Sequence, residues 1–273
     1  MADQAEDPWP PALPRDLCLT VPSAARVYDF MLGGKDNFAV DRRVVEEMIK
    51  VVPDVLTGPR AIRACLRRAV RHMVTEGGID QFIDLGSGLP TEDNVHQVAQ
   101  RHSASARVVY VDNDPVAAVH GAALLVTDDS TAFIQADVRS VDDVLGHPQV
   151  RRLIDFDRPI GLIMCSVLHY MPDEARPAEL VAAYSDRMPP GSHLFITHVC
   201  WSDHTGSAAM QEIFRENFGG QLRSRAQVEE FFAGWKLVEP GVVPVVTWRP
   251  DVEGGRPSAS SSHQALIGGL GHK

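Results

Sequence analysis

The sequence of 273 residues lacks the features that mark secreted, membrane-spanning or metal-binding proteins. No apolar run approaches the length of a membrane span, and the first residues have neither the basic nor the apolar region of a signal peptide. Only four cysteines occur, and they are far apart, without the spacing of metal ligands. We therefore expect a cytoplasmic protein with reduced cysteines, no membrane partner and no metal site.

An excess of positive charge is also absent. The chain has 26 Lys and Arg residues against 36 Asp and Glu residues, which gives a formal net charge of −10. Proteins that bind nucleic acids usually carry a basic surface, so we do not expect an RNA or DNA partner. The length and the hydrophobic content of 44% fit one large α/β domain with an additional segment, or at most two domains. The oligomeric state is left open.

What the chain does contain is a strand, a glycine-rich turn and a helix. Residues 81–85 are largely apolar and predict a buried strand. Gly86 and Gly88 allow the backbone to turn sharply and to approach a ligand closely. Thr91 is predicted to cap the helix that follows. A unit of this kind opens the nucleotide-binding sheets of α/β proteins.

The residues around this turn favour a cationic ligand over an anionic one. Asp84 precedes the turn, and Glu92 and Asp93 are predicted in the first turn of the helix, where they would compete with a pyrophosphate for free N–H groups. The third glycine of a dinucleotide-binding motif is missing, and Pro90 stands near its place. S-adenosylmethionine has a sulfonium and an ammonium group and no phosphate, so it fits these features. Merely solvated acids at positions 92 and 93 are the alternative.

Two further predicted strands end in an acidic residue. Asp112 ends the strand 107–112 and lies about 24 residues beyond Gly88, the separation expected for an acid that binds ribose hydroxyls. An ordinary acid at a strand end is the alternative for Asp112. Asp137 follows the strand 131–136, beside the crevice where open sheets bind ligands. It is placed to accept a hydrogen bond from an adenine amino group.

Helices dominate the part of the chain before the glycine-rich turn. The sequence predicts helices at about 23–31, 42–51 and 59–75, after an extended or disordered tail over residues 1–20. Four arginines share one face of the third helix, namely Arg60, Arg63, Arg67 and Arg71. One interpretation is a solvated basic face; in the alternative interpretation, one of them pairs with a carboxylate of the cofactor or of the protein.

Strands and helices alternate after the turn. Helices are predicted from Asp173 and from Asp203. Further strands are predicted at 160–169, 193–199 and 265–270. The stretches 235–239 and 242–248 are predicted to form either a pair of strands or one interrupted strand. This order predicts an α/β protein with a mostly parallel sheet and an antiparallel edge.

Together these stretches resemble the class I S-adenosylmethionine-dependent methyltransferases. Residues 84–88 match the first motif of that superfamily, Asp112 the second, Asp137 the third and the strand over 160–170 the fourth. The chain is more similar still to a bacterial family of S-adenosyl methyltransferases that was first catalogued as a domain of unknown function. The stretches that carry this closer similarity are residues 22–38, 84–91 and 110–115.

The resemblance implies an α/β fold with a Rossmann-like, doubly wound, mostly parallel sheet of seven strands, an antiparallel edge strand and an N-terminal helical segment. It implies a flexible tail over 1–20, a helical lid that covers the cofactor over 21–76, and a methyltransferase-like domain over 77–273. S-adenosylmethionine is the expected cofactor. The cofactor-binding residues that the resemblance and its motifs imply are Tyr28, Met31, Gly33, Asn37, Arg63, Asp84, Gly86, Ser87, Gly88, Asp112, Asn113, Asp137, Val138 and Ser166.

The expected reaction is an in-line displacement at a sulfonium, which requires alignment of the acceptor and exclusion of water. A base is needed only when the acceptor loses a proton during attack. His169, Tyr170 and His198 lie near strand ends and are placed to face an acceptor, but structural or gating roles are the simpler interpretation, so we assign no catalytic base. The acceptor is expected to be a small molecule, with a protein side chain left open. A non-catalytic S-adenosylmethionine or S-adenosylhomocysteine binder and an NAD-type oxidoreductase are the alternative functions.

Overall fold

The computed structural model describes residues 19–201, 206–251 and 261–273. The predicted tail therefore lies almost wholly outside the described residues, as do the predicted helix start at Asp203 and most of the loop before the closing strand. None of the helices in the described ranges is long and apolar enough to cross a membrane.

A mixed sheet, eight-stranded within the described ranges, forms the centre of the molecule. Its strands are β1 (Gln81–Leu85), β2 (Arg107–Asp112), β3 (Thr131–Gln135), β4 (Gly161–Cys165), β5 (His193–Val199), β6 (Lys236–Leu237), β7 (Val243–Pro244) and β8 (Leu266–His272). Strands β3, β2, β1, β4 and β5 lie side by side in this order and are parallel, whereas β8 runs antiparallel beside β5. The predicted fold class is confirmed.

The late strands differ in detail from the prediction. The apolar stretch over 235–248 forms two strands of only two residues, β6 and β7, which both pair with β8 in antiparallel orientation. A turn separates them, in which the Gly241 N–H donates to the carbonyl of Val238 and Gly241 adopts a φ of 85°. This division raises the strand number from the predicted seven to eight, and β8 lies inside the antiparallel part of the sheet.

Helices cover both faces of the sheet. They are α1 (Ala24–Leu32), α2 (Ala39–Val51), α3 (Thr57–Thr75), α4 (Val95–Gln100), α5 (Pro115–Leu124), α6 (Val141–Gly146), α7 (Pro148–Leu153), α8 (Pro177–Ser185), α9 (Ser207–Phe218), α10 (Arg225–Glu230) and α11 (Ser261–Ala265). Successive residues of β1 point to opposite faces. Phe82 accordingly packs in the core with α3 and α4, and Ile83 packs in the core with α6, α7 and α8.

Three predicted helix starts are wrong, each for a local reason. The helix after the glycine-rich turn begins at Val95, because Asn94 caps it in a reciprocal capping box with Gln97, so Glu92 and Asp93 precede the helix. The helix predicted from Asp173 begins at Pro177, after a left-handed residue, Arg176. Helix α2 begins at Ala39 and not near residue 42, and the carboxylate of Asp41, inside the helix, accepts from the Phe38 N–H at 2.8 Å.

The N-terminal helices are attached to the sheet domain by buried charge. Arg26, only 3% exposed, donates to the Asp41 carboxylate at 2.9 Å and lies 3.6 Å from the carboxylate of Asp114. Asp114 in turn caps α5 by accepting from the Val116 N–H at 2.7 Å. Helix α1 is thus held against the first turn of α5, next to the end of β2.

Candidate functional site

A cavity of about 470 Å³ lies where the strand order reverses, at the carboxyl ends of β1, β2 and β4. Open α/β sheets bind ligands at such a reversal. We name it the polar cavity. Eleven of the fourteen predicted cofactor residues line it: Tyr28, Arg63, Asp84, Gly86, Ser87, Gly88, Asp112, Asn113, Asp137, Val138 and Ser166.

The glycine-rich turn forms one wall of the polar cavity and is tied to β2. The N–H groups of Gly86 and Ser87 both donate to the carbonyl of Val111, at 2.8 and 3.0 Å. Gly86 has a φ of 72°, and a Cβ atom at this position would lie 2.5 Å from the side chain of Val167. Glycine is therefore required at Gly86 both by the backbone conformation and by the close approach of Val167.

Asp112 lies on the floor of the polar cavity with both carboxylate oxygens engaged by the backbone. One oxygen accepts from the Gly88 N–H at 2.7 Å and the other from the Asp114 N–H at 2.9 Å. Burial raises the pKa of Asp112. Each oxygen of a carboxylate has a second lone pair, so Asp112 retains the capacity to accept two further hydrogen bonds.

Three polar groups of the polar cavity have no hydrogen-bond partner among the described residues: the Asp84 carboxyl, the Arg63 Nε and the Ser87 hydroxyl. No described residue donates a hydrogen bond to the carboxyl group of Asp84, which is only 4% exposed, and burial raises its pKa to about 7. The Nε of Arg63 and the Oγ of Ser87 are buried without a hydrogen-bond partner among the described residues. Buried polar atoms are normally paired, so this cluster fits a ligand that brings both an acidic and a basic group.

Arg63 is held in place by the loop before α4. Its Nη2 donates to the main-chain carbonyls of Glu92 and Asp93, at 3.2 and 2.8 Å. Of the other three arginines on this face of α3, Arg67 pairs with Asp93 at 3.1 Å and Arg71 with Asp251 at 2.7 Å. The Nε of Arg63 meets no hydrogen-bond acceptor among the residues that the structure describes.

Asp137 also lines the polar cavity, but the protein already occupies much of its carboxylate. The Nε of Arg139 lies 3.0 Å from both oxygens, and the Arg139 guanidinium lowers the pKa of Asp137. The neighbouring Val138 is fixed by its carbonyl, which accepts from the hydroxyl of Tyr184 at 2.8 Å.

Three predicted residues lie outside the lining of the polar cavity. Gly33 ends α1 in a left-handed conformation, with a φ of 88°. Asn37 donates to the carboxylate of Asp29 at 2.9 Å, and Gly34 lies so close to that carboxylate that no Cβ would fit. Gly33 and Asn37 thus shape the α1–α2 loop, whereas Met31 lines a second cavity.

The second cavity, of about 300 Å³, adjoins the first. We name it the apolar cavity. Tyr28, Ser166 and Tyr170 line both cavities and so form their junction. Ser166 has a φ of 62°, unusual for a residue with a side chain, and its hydroxyl lies 3.1 Å from that of Thr197. The apolar side chains around the cavity include Met31, Met48, Val52, Ile62, Met210, Phe214 and Leu266.

Two buried histidines near the junction have different positions. His169 lines the apolar cavity, and burial holds its pKa well below the usual range. His198 is not among the described residues that line either cavity. Its ring lies between the carbonyl of Val199 at 2.7 Å and the guanidinium of Arg223 at 3.3 Å.

Sequence reasoning missed most of the apolar cavity and part of the polar one. Met210, Phe214 and Leu266 come from distant segments and read as ordinary core positions, so no local signal marks them. Ser23 and Asp114 also line the polar cavity, and neither was predicted as a site residue. Cap positions at the mouth of a glycine-rich turn are the signal that would have identified them.

Comparison with known proteins gives strong similarities. The family model described as S-adenosyl methyltransferase matches residues 11–273. A candidate methyltransferase from Thermobifida fusca YX is 43% identical, with a TM-score of 0.90, over 97% of this chain and 98% of that one. A DUF574 family protein from Streptomyces avermitilis MA-4680 is 33% identical, with a TM-score of 0.86, over 93% of this chain and 98% of that one. No curated protein matches this chain.

A more distant protein shares the fold alone. An O-methyltransferase family protein from Burkholderia thailandensis is 12% identical, with a TM-score of 0.52, over 81% of this chain and 57% of that one. Its additional length has no counterpart in the matched part of this chain.

Proposed function

The chain belongs to the S-adenosyl methyltransferase family, and from this premise we propose that it methylates a small molecule held in the apolar cavity. S-adenosylmethionine is the cofactor and methyl transfer is the reaction class. The family assignment therefore decides against the NAD-type oxidoreductase and against a binder without catalysis.

The observation that carries the proposal is the group of unpartnered polar atoms beside the glycine-rich turn. Asp84 is assigned to the ammonium group of the cofactor and Arg63 to its carboxylate, because the Asp84 carboxyl and the Arg63 Nε each lack a hydrogen-bond partner among the described residues. Asp112 is assigned to the ribose hydroxyls through its two remaining lone pairs.

The junction of the two cavities is the proposed place of transfer. The cofactor supplies a methyl group bound to a positively charged sulfur. When the methyl group is transferred, the sulfur leaves as a neutral thioether. Tyr28 and Tyr170 present aromatic rings beside the junction, and ring faces attract cations. Burial raises the pKa of both phenols, so both remain neutral and neither acts as a base.

The protein's contribution to the reaction is therefore alignment and exclusion of water. Ser166 directly follows β4 in a conformation held by Thr197, and Tyr28 is held by a hydrogen bond from its hydroxyl to the carbonyl of Pro59 at 3.3 Å. These contacts fix the walls of the junction before an acceptor arrives. Fixed geometry of this kind lowers the entropic barrier of a bimolecular displacement.

Calorimetry with S-adenosylhomocysteine and NAD tests the proposal. We expect S-adenosylhomocysteine to bind, NAD not to bind, and Asp84→Asn to weaken S-adenosylhomocysteine binding by about tenfold or more. The matched control is Asp80→Asn, which changes an acid directly before β1 that pairs with Arg158 at the surface. The proposal fails if NAD binds and S-adenosylhomocysteine does not, or if both variants bind alike.

A further inference from the structure

The lining of the apolar cavity restricts the charge of what it can hold. None of the described residues that line it is an Asp, Glu, Lys or Arg. A cavity of about 300 Å³ is at the lower end of the range of small-molecule sites. Burying a charged group without a counter-ion is strongly unfavourable, so this lining selects against a charged occupant.

Several hydroxyl groups around the cavity are already used by the protein. The hydroxyl of Ser262 lies 3.0 Å from that of Thr57. The hydroxyl of Tyr28 donates to the carbonyl of Pro59, and that of Ser166 lies within hydrogen-bond distance of Thr197. These groups hold the walls together and leave few donors for a ligand.

His169 differs from these residues because one of its nitrogens remains available. It is 2% exposed, and its Nδ1 accepts from the Val199 N–H at 3.4 Å. A neutral imidazole that accepts through Nδ1 carries its proton on Nε2. Burial, with the nearby His198 and Arg223, lowers the pKa of His169 and keeps the ring neutral. The described residues provide no hydrogen-bond partner for Nε2.

The ring of His169 is also fixed in orientation. Its centroid lies 4.5 Å from that of Tyr170 and 5.4 Å from that of Phe214, and both neighbours line the same cavity. A buried donor held in this way costs free energy until an acceptor meets it. The result is an N–H group at the wall of a cavity whose other described side chains are largely apolar, with the hydroxyl of Tyr170 at the junction.

We propose that the methyl acceptor is a neutral, largely apolar molecule with an oxygen, such as a ketone, ester or ether, that accepts a hydrogen bond from His169 Nε2. The inference rests on the proposed function, since it names the substrate class of the same site. His169 binds and orients the acceptor as a donor. The group that is methylated is a different one, which lies nearer the junction formed by Tyr28, Ser166 and Tyr170.

Matched two-ring probes test this chemistry on the full chain. The probes are 2-acetylnaphthalene, the similarly shaped hydrocarbon 2-isopropenylnaphthalene and the anion 2-naphthoate, with binding measured by ligand-observed NMR in the presence of S-adenosylhomocysteine. We expect the ketone to bind about three- to tenfold more tightly than the hydrocarbon. We expect 2-naphthoate to bind at least about tenfold more weakly than the ketone.

Two variants of His169 test whether the residue acts as a hydrogen-bond donor or only through the volume of its side chain. His169→Phe should bind the ketone and the hydrocarbon equally, whereas His169→Gln, which keeps an N–H donor, should retain a preference for the ketone. Met210→Trp should reduce the binding of all three probes, because Met210 lines the cavity and the larger side chain fills it. Thermal melts of each variant identify any that fail to fold.

The outcomes distinguish this inference from the proposed function. It is overturned if the ketone does not bind, if 2-naphthoate binds as tightly as the ketone, or if folded His169→Phe keeps the ketone preference. If S-adenosylhomocysteine fails to bind while the probes behave as expected without it, the proposed function fails and the chemistry of the cavity stands. If S-adenosylhomocysteine binds and the probe pattern is absent, only the substrate class is wrong.

Discussion

Asp84 is a residue whose burial and charge oppose each other. It is the last but one residue of β1. Its carboxyl lines the polar cavity and receives no hydrogen bond from the described residues. Burial raises its pKa to about 7, which Arg63 only partly offsets. A group with this pKa changes charge within the physiological pH range. A proton therefore competes with the proposed ammonium partner for the Asp84 carboxylate.

Cofactor binding should therefore depend on pH through Asp84. The carboxyl is mostly ionised at pH 8 and mostly protonated at pH 6, so the dissociation constant of S-adenosylhomocysteine should rise by roughly tenfold as the pH falls from 8 to 6. Asp84→Asn should bind weakly at both values. Calorimetry at the two pH values measures this, and a pH-independent wild-type constant would contradict the role of Asp84.

Asp84→Asn, which should weaken cofactor binding, should make the ligand-free protein more stable. Because the folded pKa of Asp84 lies above its unfolded value, the folded state binds the proton more tightly, and stability is lost as the pH rises toward 7. Asp84→Asn should remove this loss and stabilise the free protein at pH 8 by on the order of 2–4 kcal/mol. Thermal melts at pH 5 and pH 8 check it: the two proteins should differ most at pH 8.

At the scale of elements, α1 is the part of the fold most directly placed to cover the cofactor. Ser23, Ala24, Ala25 and Tyr28 line the polar cavity from the start of this helix. Arg26, on the same helix, bridges Asp41 and Asp114 at the first turn of α5. Cofactor binding at Asp112 would adjoin this bridge, since Asp112 accepts from the Asp114 N–H. We propose that residues 21–76 act as the lid that the resemblance implied.

Hydrogen exchange measures whether the lid responds to the cofactor. Exchange over residues 23–38 should slow when S-adenosylhomocysteine is added, and Tyr28→Ala should weaken its binding by about tenfold. Arg42→Ala is the control, because Arg42 lies exposed on α2, donates to Asn37 and is not among the described residues that line the polar cavity. Identical exchange with and without the ligand, together with unchanged binding by Tyr28→Ala, would make this segment a structural appendage.

At the scale of the whole molecule, the N-terminal helices and the late strands depend on each other. Arg68 of α3, only 6% exposed, donates to the carbonyl of Trp248 at 2.8 Å and to that of Val245 at 2.6 Å. These contacts join residues about 180 positions apart in the chain. Buried hydrogen bonds over this separation favour one cooperative unit over independently folding parts.

Unfolding should accordingly show a single transition that depends on Arg68. Arg68→Ala leaves two buried carbonyls without donors and should cost about 2–4 kcal/mol, which lowers the melting temperature by several degrees. Arg71→Ala is the matched control on the same helix, and its exposed pair with Asp251 should contribute less than about 1 kcal/mol. Calorimetry would contradict this view if residues 21–76 melted separately, or if both variants melted alike.

The sequence by itself determined the fold class and eleven of the residues that line the polar cavity. Apolar strands at 81–85 and 107–112, each followed by glycine or acid, identify parallel strand ends, and parallel strands of one sheet must end at the same edge. For that reason Asp84, Gly86 and Asp112 were predicted together without knowledge of any long-range contact. Eleven predicted residues line this one cavity, and some of them, such as Tyr28 and Arg63, were implied by the family resemblance and not by the strand ends. Their cofactor roles remain predictions.

Only the structure decided where α4 begins, because the local sequence offers two caps, and only the tertiary packing decided how the second cavity is built. The start of α4 at Val95 depends on the Asn94–Gln97 capping box prevailing over Thr91, a competition between two acceptable local caps. The apolar cavity is enclosed by Met31, Met210 and Leu266, which lie far apart in the chain and are individually typical of a core. Hydrophobic side chains carry no directional signal, so a sequence pattern shows that they are buried but only their packing decides whether they enclose a space.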